Sequence, residues 1–335
     1  MKDLPNHIAI LYSEAKRDYF PTEQQYISEV EVEGRSKLIA SYLEKMGISV
    51  TLIPGNDTLS EALKKAQPDF VLNLVDSVYG KEYLSASIPG TLELLQIPYT
   101  GTGMLGQAIN SNKYFTKTLL EQYGITTPKY QLIKDVNEPI DPILDFPLIA
   151  KLNEIHGSIE IDETAVCLDE KMLDDRINFL MDTYKQPVLV EEFVVGREIT
   201  VIVFEGLHTK VYAAEKIFAK PPDSKYHIVT FDDNWNEEVD TISYQKYELP
   251  ARIKLAIKQA FQVLKMEDYA KFDIRLDESG RHYIIDCNTN PTLGPKDVAA
   301  IGSITQLYGI SFDELLARLI KSQLHEQEEL NGSTQ

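Results

Sequence analysis

A chain of 335 residues is long enough for two or three domains, each with its own hydrophobic core. Its net charge of −19 disfavours binding to nucleic acid, where lysines and arginines must replace counterions, and it equally disfavours anionic membranes. Nucleotide binding is still allowed, because local lysines and backbone amides can hold phosphates in an acidic protein.

The sequence carries no signal of export or membrane insertion. The first residues lack the apolar core of a signal peptide, and no run of about 18 apolar residues occurs. Cys167 and Cys287 lie in apolar, strand-like runs and make neither a disulfide framework nor a zinc cluster. We therefore expect a soluble protein of the reducing cytoplasm.

Strand-like and helix-like patterns alternate over the first hundred residues. Strands are predicted at His7–Tyr12, 48–53 and 70–75, and helices at about 38–46, at Leu59–Ala66 and at 89–96. Such alternation predicts an open, mostly parallel α/β sheet, whose ligands bind at the carboxyl ends of the strands. The segment 73–79 and a long aperiodic loop over residues 13–27 would then lie near a site.

Two further units follow this domain. A helix over about 105–123 precedes a small α+β unit, and an amphipathic helix over 252–264 precedes a β-hairpin. The other predicted elements are a strand at 147–151, a helix at 168–184 and two strands within 188–201 that meet at a turn on Gly196. The fold class therefore combines α/β with α+β, and the predicted domains are 1–103, 104–215 and 216–335.

The last predicted hairpin brings acidic residues together. Polar and apolar residues alternate along its first strand, and turn-forming residues separate the two strands. If the loop spans residues 278–281, Asp273 lies directly opposite Asp286, about 5 Å away, and Asn288 shares their face. These oxygen ligands suit Mg²⁺ or Mn²⁺, which would share coordination with substrate phosphates. The alternative is that both aspartates are polar residues at a wetted sheet edge.

The residues that follow this strand carry a family resemblance. The pattern D-x-N-x-N-P at 286–291 resembles the end of the ATP-grasp fold, and the chain resembles the D-alanine–D-alanine ligases over nearly its whole length. PYTGTG at 98–103 is similar to the I-P-Y-T-G-S/T-G segment of those ligases, and AAEK at 213–216 resembles their E-A-K segment. VEEFVVGREITV at 190–201 fits an ATP-grasp pattern. The resemblance implies an ATP-grasp fold with an N-terminal open parallel α/β domain.

The same resemblance implies a site for ATP with Mg²⁺ or Mn²⁺. Three lysines would bind the triphosphate, a Gly-Ser loop would cover it, and the VEEF segment with a later glutamate would receive the base and the ribose. The implied nucleotide-binding residues are Lys113, Lys151, Gly157, Ser158, Glu191, Phe193, Val194, Glu198 and Lys216. The implied metal ligands are Asp273, Asp286 and Asn288.

The resemblance also implies a reaction in which ATP phosphorylates a carboxylate and an amine then attacks the acyl phosphate. Lys271 and Thr292 stand where the family usually has arginine and glycine, and both would stabilise the oxyanion. Glu31 would bind the amine, because Glu31-Val32-Glu33 resembles an E-V-S segment of the family. A polar loop at 219–240 would cover the site. The partners would be small amino-acid-like substrates, and a homodimer is expected from the family.

Two segments depart from the family pattern. Residues 73–80 read NLVDSVYG where the ligases carry H-G-x-x-G-E-D-G, and Glu160 and Asp162 replace part of the Gly- and Ser-rich loop. The main hypothesis is therefore an ATP-dependent ligase that joins amino acids, or an amino acid and a peptide-like substrate, other than a pair of D-alanines. The alternatives are a D-alanine–D-alanine ligase of cell-wall synthesis and a nucleotide-binding module without turnover.

Overall fold

The computed structural model describes residues 4–206, 209–219, 226–235 and 241–332. Its strands are β1 His7–Tyr12, β2 Ser49–Pro54, β3 Phe70–Leu74, β4 Tyr130–Ile133, β5 Leu148–Leu152, β6 Val166–Cys167, β7 Val188–Glu192, β8 Arg197–Phe204, β9 Lys210–Phe218, β10 Ile242–Lys246, β11 Tyr269–Leu276 and β12 His282–Asn288. Its helices are α1 Glu23–Lys45, α2 Leu59–Ala66, α3 Ser87–Leu95, α4 Met104–Asn110, α5 Lys113–Gln122, α6 Glu170–Tyr184, α7 Phe231–Trp235, α8 Ala251–Val263, α9 Ala300–Leu307 and α10 Phe312–Gly332. Residues 220–225 and 236–240 of the predicted active-site loop lie outside the described residues. None of the described helices has the length and apolar composition needed to cross a membrane.

The first three strands form the parallel sheet that the sequence predicts. β1 lies between β2 and β3, with Ile8 paired to Val50 on one side and to Phe70 on the other. α1 packs into the core of this sheet through the fully buried Ile39 and Leu43. Side chains of α9 and α10 join the same core, so the end of the chain packs against its first domain.

Helix α1 begins earlier than the sequence indicates. The sequence predicts a loop over residues 13–27, but the helix begins at Glu23, where Thr22 Oγ1 accepts a hydrogen bond from the backbone N–H of Gln25 at 3.3 Å. The first turns are mostly polar, which hides their helical period. The longer helix carries Glu29 to the domain boundary, where it lines the central cavity.

The other two sheets are antiparallel. One has the strand order β4-β7-β5-β6 and packs against α6, and the other has the order β10-β9-β8-β11-β12 and packs against α8. The strands β7 and β8 follow each other in sequence but belong to different sheets, so the chain crosses between sheets after Glu192. The predicted domain limit after residue 215 lies inside β9, whereas sheet membership divides the chain between Glu192 and Arg197.

The helix predicted over residues 105–123 is interrupted. α4 ends at Asn110, and α5 begins at Lys113 after Asn112, whose side chain accepts a hydrogen bond from the backbone N–H of Phe115 at 3.1 Å. The N–H of Lys113 donates to the Asn153 carbonyl at 3.0 Å. The interruption therefore fixes the first turn of α5 against the segment that follows β5.

Candidate active site

A cavity of about 1020 Å³ is lined by side chains from the N-terminal α/β unit and from the elements of both antiparallel sheets. Every residue that the sequence proposed for the site lies on its wall. These residues are Glu31, Lys113, Lys151, Gly157, Ser158, Glu191, Phe193, Val194, Glu198, Lys216, Lys271, Asp273, Asp286, Asn288 and Thr292. Their individual roles stay predictions, but the fold brings all of them to one place.

The hairpin places two aspartates opposite each other through a longer turn and a β-bulge, which the sequence does not predict. β11 and β12 pair Asp273 with Asp286, as predicted, but the turn spans residues 277–281 and is one residue longer than predicted. With that turn alone, the two side chains would point to opposite faces, because side chains alternate along a strand. A register shift follows Asp273, and Ile285 is the extra residue that restores the pairing.

The Asp273 carboxylate is held by two lysines and a threonine. Lys271 Nζ lies 2.9 Å from Oδ2, Lys216 Nζ lies 3.4 Å from Oδ1, and Thr200 Oγ1 donates to Oδ1 at 2.9 Å. Burial disfavours the charged acid, but the two ammonium groups outweigh burial and hold the pKa of Asp273 well below its usual range. Asp273 is therefore ionised at neutral pH.

Asp286 is half-buried, and positively charged groups surround its carboxyl group. Burial alone would raise its pKa, but Lys113, His156 and Lys151 together lower the pKa of this carboxyl. The two facing aspartates thus both carry charge, and each is neutralised from its own side of the cavity.

The donor set of this face fits a hard divalent cation. Asp273, Asp286 and Asn288 offer only oxygen atoms, which Mg²⁺ and Mn²⁺ prefer. Within the described ranges, no group of three or more His, Cys, Asp or Glu side chains could hold a metal ion by itself. The arrangement therefore fits a metal ion that completes its coordination with water and with the phosphates of a bound ligand.

Glu191 is 1% exposed and bound by two lysines. Lys151 Nζ lies 2.7 Å from Oε1, and Lys117 Nζ lies 3.0 Å from Oε2. Burial lowers the pKa of Lys117, although the Glu191 carboxylate favours its charged form. Lys117 was not among the predicted site residues, but its spacing of four from Lys113 places both on one face of α5.

A second buried cluster joins the residues predicted for the base and the ribose. Lys216 Nζ forms a close ion pair with Glu198, and Arg275 Nη2 lies 3.8 Å from the other carboxylate oxygen of Glu198. The Arg275 guanidinium also lies over the Phe193 ring, 4.6 Å from its centroid, and donates to the Val194 carbonyl at 3.2 Å. No sequence pattern singles out Arg275, which looks like one polar residue in an alternating strand.

The segment 153–162, which we call the phosphate loop after its predicted ligand, is held by α7. The Gly157 carbonyl accepts a hydrogen bond from Trp235 Nε1 at 2.9 Å, and Ser158 Oγ accepts one from Asn234 Nδ2 at 2.9 Å. Gly157 has φ 74° and Ser158 has φ 58°, so the backbone turns tightly beneath these contacts. Asn234 and Trp235, which belong to the polar loop predicted at 219–240 to cover the site, therefore contact the phosphate loop directly.

Three carboxyl groups, those of Glu29, Asp76 and Glu82, form an acidic wall on the N-terminal side of the cavity. Glu82 pairs with His156 at 2.5 Å, and Asp76 lies 3.7 Å from Arg35. Burial raises the pKa of Glu29 to about 8 and that of Asp76 to about 6. Glu29 Oε2 is buried without a hydrogen-bond partner among the described residues.

The predicted amine-binding residue, Glu31, lies on the same helix as Glu29. It lines the cavity and forms an ion pair with Arg35 one turn further on. Its side chain is 42% exposed, whereas Glu29 as a whole is 7% exposed. The sequence did not single out Glu29, and the delayed start predicted for α1 left this residue outside the regular helical pattern.

Comparison with known proteins gives one consistent similarity. Residues 119–321 match the family model described as D-ala D-ala ligase C-terminus. The chain is 27% identical over 305 residues to a D-alanine–D-alanine ligase of Bacillus anthracis, covering 88% of this chain and 92% of the relative. It is 23% identical over 290 residues to an uncharacterised protein of Sinorhizobium fredii, covering 83% of this chain and 84% of that one.

A solved structure has the same fold. The D-alanine–D-alanine ligase from Bacillus anthracis, complexed with ATP, superposes with a TM-score of 0.73 at 22% identity. The match covers 96% of this chain and 99% of that structure, so it includes all three sheets.

Proposed function

The chain belongs to the D-alanine–D-alanine ligase family, and from that premise we propose that it uses ATP to join the carboxylate of one amino acid to the amine of another. Membership confirms the family resemblance, the ATP-grasp fold and the assignment as a carbon–nitrogen ligase. The observation that carries the proposal is one cavity that gathers lysines, carboxylates and an acidic wall from the N-terminal unit and from both antiparallel sheets.

ATP would bind between the central and the C-terminal sheets. In support, a ligase of the same fold is complexed with ATP, and Lys113, Lys151 and Lys216 line the cavity here. The aromatic ring of Phe193 and the Glu198 carboxylate offer the mixture of apolar wall and polar group that a nucleoside requires.

A divalent cation, Mg²⁺ or Mn²⁺, would accompany the nucleotide. Asp273, Asp286 and Asn288 would hold it, and its charge would offset that of the phosphates during transfer. Lys216 and Lys271, which pair with Asp273, would then be available to the phosphates and to the developing oxyanion.

The proposed reaction has two steps. A carboxylate oxygen of the first amino acid attacks the γ-phosphorus of ATP, the bond from that phosphorus to the ADP oxygen breaks, and an acyl phosphate forms. The amine nitrogen of the second amino acid then attacks the acyl carbon. Phosphate leaves with the bonding electron pair, and the nitrogen loses a proton. Lys271 and the backbone N–H of Thr292 line the cavity where they would stabilise the tetrahedral oxyanion.

The names of the relatives favour D-alanine as substrate, which the sequence offered as an alternative to its main hypothesis. A different amino-acid pair stays the second candidate, because the acidic wall contains Asp76 and Glu82 where the family has H-G-x-x-G-E-D-G. Either pair brings an ammonium group, and Glu29 and Glu31 are the carboxyl groups of α1 that would receive it.

Release of ADP tests the proposal directly. The protein is supplied with ATP and Mg²⁺ and with D- and L-amino acids, singly and in pairs, and the products are identified by mass spectrometry. We expect ADP, phosphate and a condensed product, with D-alanine tested first. Turnover with another pair alone would select the second candidate. Binding of ATP without ADP release from any pair would instead favour a nucleotide-binding module without turnover.

A further inference from the structure

We propose that Glu160 and Tyr184 are positioning residues that fasten the phosphate loop to the first turn of α1, so that nucleotide binding is transmitted to the helix bearing Glu29 and Glu31. The inference rests on the proposed function for the identity of the nucleotide. It concerns two residues that lie outside the cavity wall.

One tyrosine hydroxyl joins three elements of the fold. Tyr184, the last residue of α6, donates its hydroxyl proton to Glu160 Oε1 at 2.6 Å. The same hydroxyl lies 2.8 Å from Oγ1 of Thr22, which caps α1. The backbone N–H of Glu160 also donates to Gln24 Oε1 at 3.0 Å. The phosphate loop therefore contacts α1 directly and through Tyr184.

These contacts explain the departure of Glu160 from the family pattern. A carboxylate facing the phosphates would repel them, but Glu160 is 8% exposed and does not line the cavity, whereas its neighbours Ile159 and Ile161 do. Arg176 donates to the Glu160 carbonyl and so holds the backbone at the same point. The acidic side chain thus faces away from the ligand and serves as a fastening.

The Tyr184 hydroxyl is suited to this task at any working pH. Burial and the hydrogen bond to Glu160 raise the pKa of Tyr184, so the hydroxyl keeps its proton. The bond from Tyr184 to Glu160 is short and its acceptor is a carboxyl oxygen, which makes it stronger than a bond between neutral groups.

The fastening has a consequence across the cavity. The phosphate loop would order when a nucleotide binds, and α1 carries both Thr22 and, two turns later, Glu29 and Glu31. Because hydrogen bonds join the loop to the helix, ordering of the loop by the nucleotide would also order the helix that would bind the amino acid. This coupling needs no contact between the two ligands.

Hydrogen exchange read by mass spectrometry tests the coupling with Mg·ATP as the only ligand. In the wild type, saturating Mg·ATP should slow exchange both in residues 153–162 and in residues 22–28. In Tyr184→Phe, the loop should still be protected, but the protection transmitted to residues 22–28 should fall about tenfold. Glu160→Gln keeps an acceptor oxygen but makes the bond neutral, so the transmitted protection should fall by less than in Tyr184→Phe. The control Tyr123→Phe changes an exposed tyrosine and should have no effect.

The outcomes separate this proposal from the proposed function. Equal protection of residues 22–28 in the wild type and in Tyr184→Phe would overturn the fastening while leaving the nucleotide site in place. Protection of the loop without protection of α1 in the wild type would do the same. Absence of any protection by Mg·ATP in the wild type would overturn the proposed function together with the fastening.

Discussion

Opposite charges are paired around the cavity, and this pairing sets the behaviour of its single residues. Lys216 and Lys271 neutralise Asp273, while Glu191 neutralises Lys117 and Lys151. A nucleotide with its metal ion brings charges of both signs, so we expect lysines to turn to the phosphates and aspartates to the metal. These ion pairs hold the side chains in place until then.

Asp286→Asn tests the metal assignment at one atom. The change keeps the shape of the side chain and removes the charge that Lys113, His156 and Lys151 maintain. Loss of one metal ligand should slow ADP release by about 100-fold or more, since the lost charge stabilisation amounts to several kcal/mol. Circular dichroism should show an intact fold. Asp182→Asn, at a side chain that is 90% exposed, should leave turnover unchanged. Normal turnover in Asp286→Asn would remove this residue from the site.

Two adjacent glutamates should differ sharply in their effect on stability. Glu191→Gln leaves Lys117 and Lys151 buried without their shared partner, which should lower the free energy of unfolding by about 3–5 kcal/mol. Glu192→Gln breaks a pair with Lys129, whose side chain is 47% exposed, and should cost less than about 1 kcal/mol. Urea unfolding of both variants measures the difference. Equal losses would mean that burial of the Glu191 pairs contributes little.

At the scale of elements, the crossing from β7 to β8 depends on one glycine. Gly196 has φ 154°, and a Cβ atom there would lie 2.0 Å from the carbonyl oxygen of Leu276, at the end of β11. The chain can therefore pass from the central sheet to the C-terminal one only if the residue at this point has no Cβ atom. The close approach also fixes the crossing against the hairpin that carries the two aspartates.

Gly196→Ala should consequently lower the free energy of unfolding by at least about 3 kcal/mol, because neither the φ angle nor the backbone oxygen can yield easily. Gly34→Ala is the matched control. Gly34 lies within α1 with nothing within 4 Å of the added methyl group, so this change should stabilise the protein by about 0.5–1 kcal/mol. Chemical denaturation of both variants gives the comparison. A small loss for Gly196→Ala would show that the crossing can relax.

Local pattern predicts the elements better than their connections. The strand β1 and the helix α2 lie where period and turn signals place them, because those signals reside in neighbouring residues. The bulge at Ile285 and the assignment of β7 and β8 to different sheets depend on partners far away in sequence, and no local pattern encodes them. The cap at Asn112 is different, because asparagine is a favoured N-cap residue and so marks a helix start within the local sequence.

The candidate site shows the same limit. Motif residues such as Asp273 and Lys151 could be proposed from the sequence, since their spacing follows a known pattern. Arg275 and Glu29 could not, because their importance comes from burial and from charges on other elements. A residue such as Arg275 becomes part of the site only because its side chain forms an ion pair with a group on another element of the fold.

At the scale of the whole molecule, the net charge of −19 and the cavity lysines have opposite effects on anions that approach the protein. The acidic surface repels polyanions, whereas Lys113, Lys151 and Lys216 make one enclosed region attractive to a small anion. The acidic wall lines the same cavity as these lysines. A cavity with groups of both signs suits a reaction between an anionic nucleotide and an amino acid carrying an ammonium group.

The acidic wall should also give the whole protein a pH-dependent stability. Burial raises the pKa of Glu29 to about 8 and that of Asp76 to about 6, so the folded state binds protons more tightly than the unfolded state, whose values lie near 4.5 and 3.8. The free energy of unfolding should therefore fall by a few kcal/mol as the pH rises from about 4.5 to about 8. Asp273 and Asp286, whose pKa values are lowered, act only below that window, where their stabilisation is lost as the pH falls.

Glu29→Gln, measured by urea unfolding between pH 5 and pH 9, isolates the largest contribution. The amide does not ionise, so the slope of unfolding free energy against pH should flatten. The variant should therefore become more stable relative to the wild type as the pH rises. Glu33→Gln alters a carboxylate on the same helix whose side chain is 51% exposed, and it should leave the slope unchanged. Parallel curves for the wild type and Glu29→Gln would mean that Glu29 ionises in the folded protein as it does in water. In that case the acidic wall would carry its full negative charge at neutral pH and would attract an ammonium group without first releasing a proton.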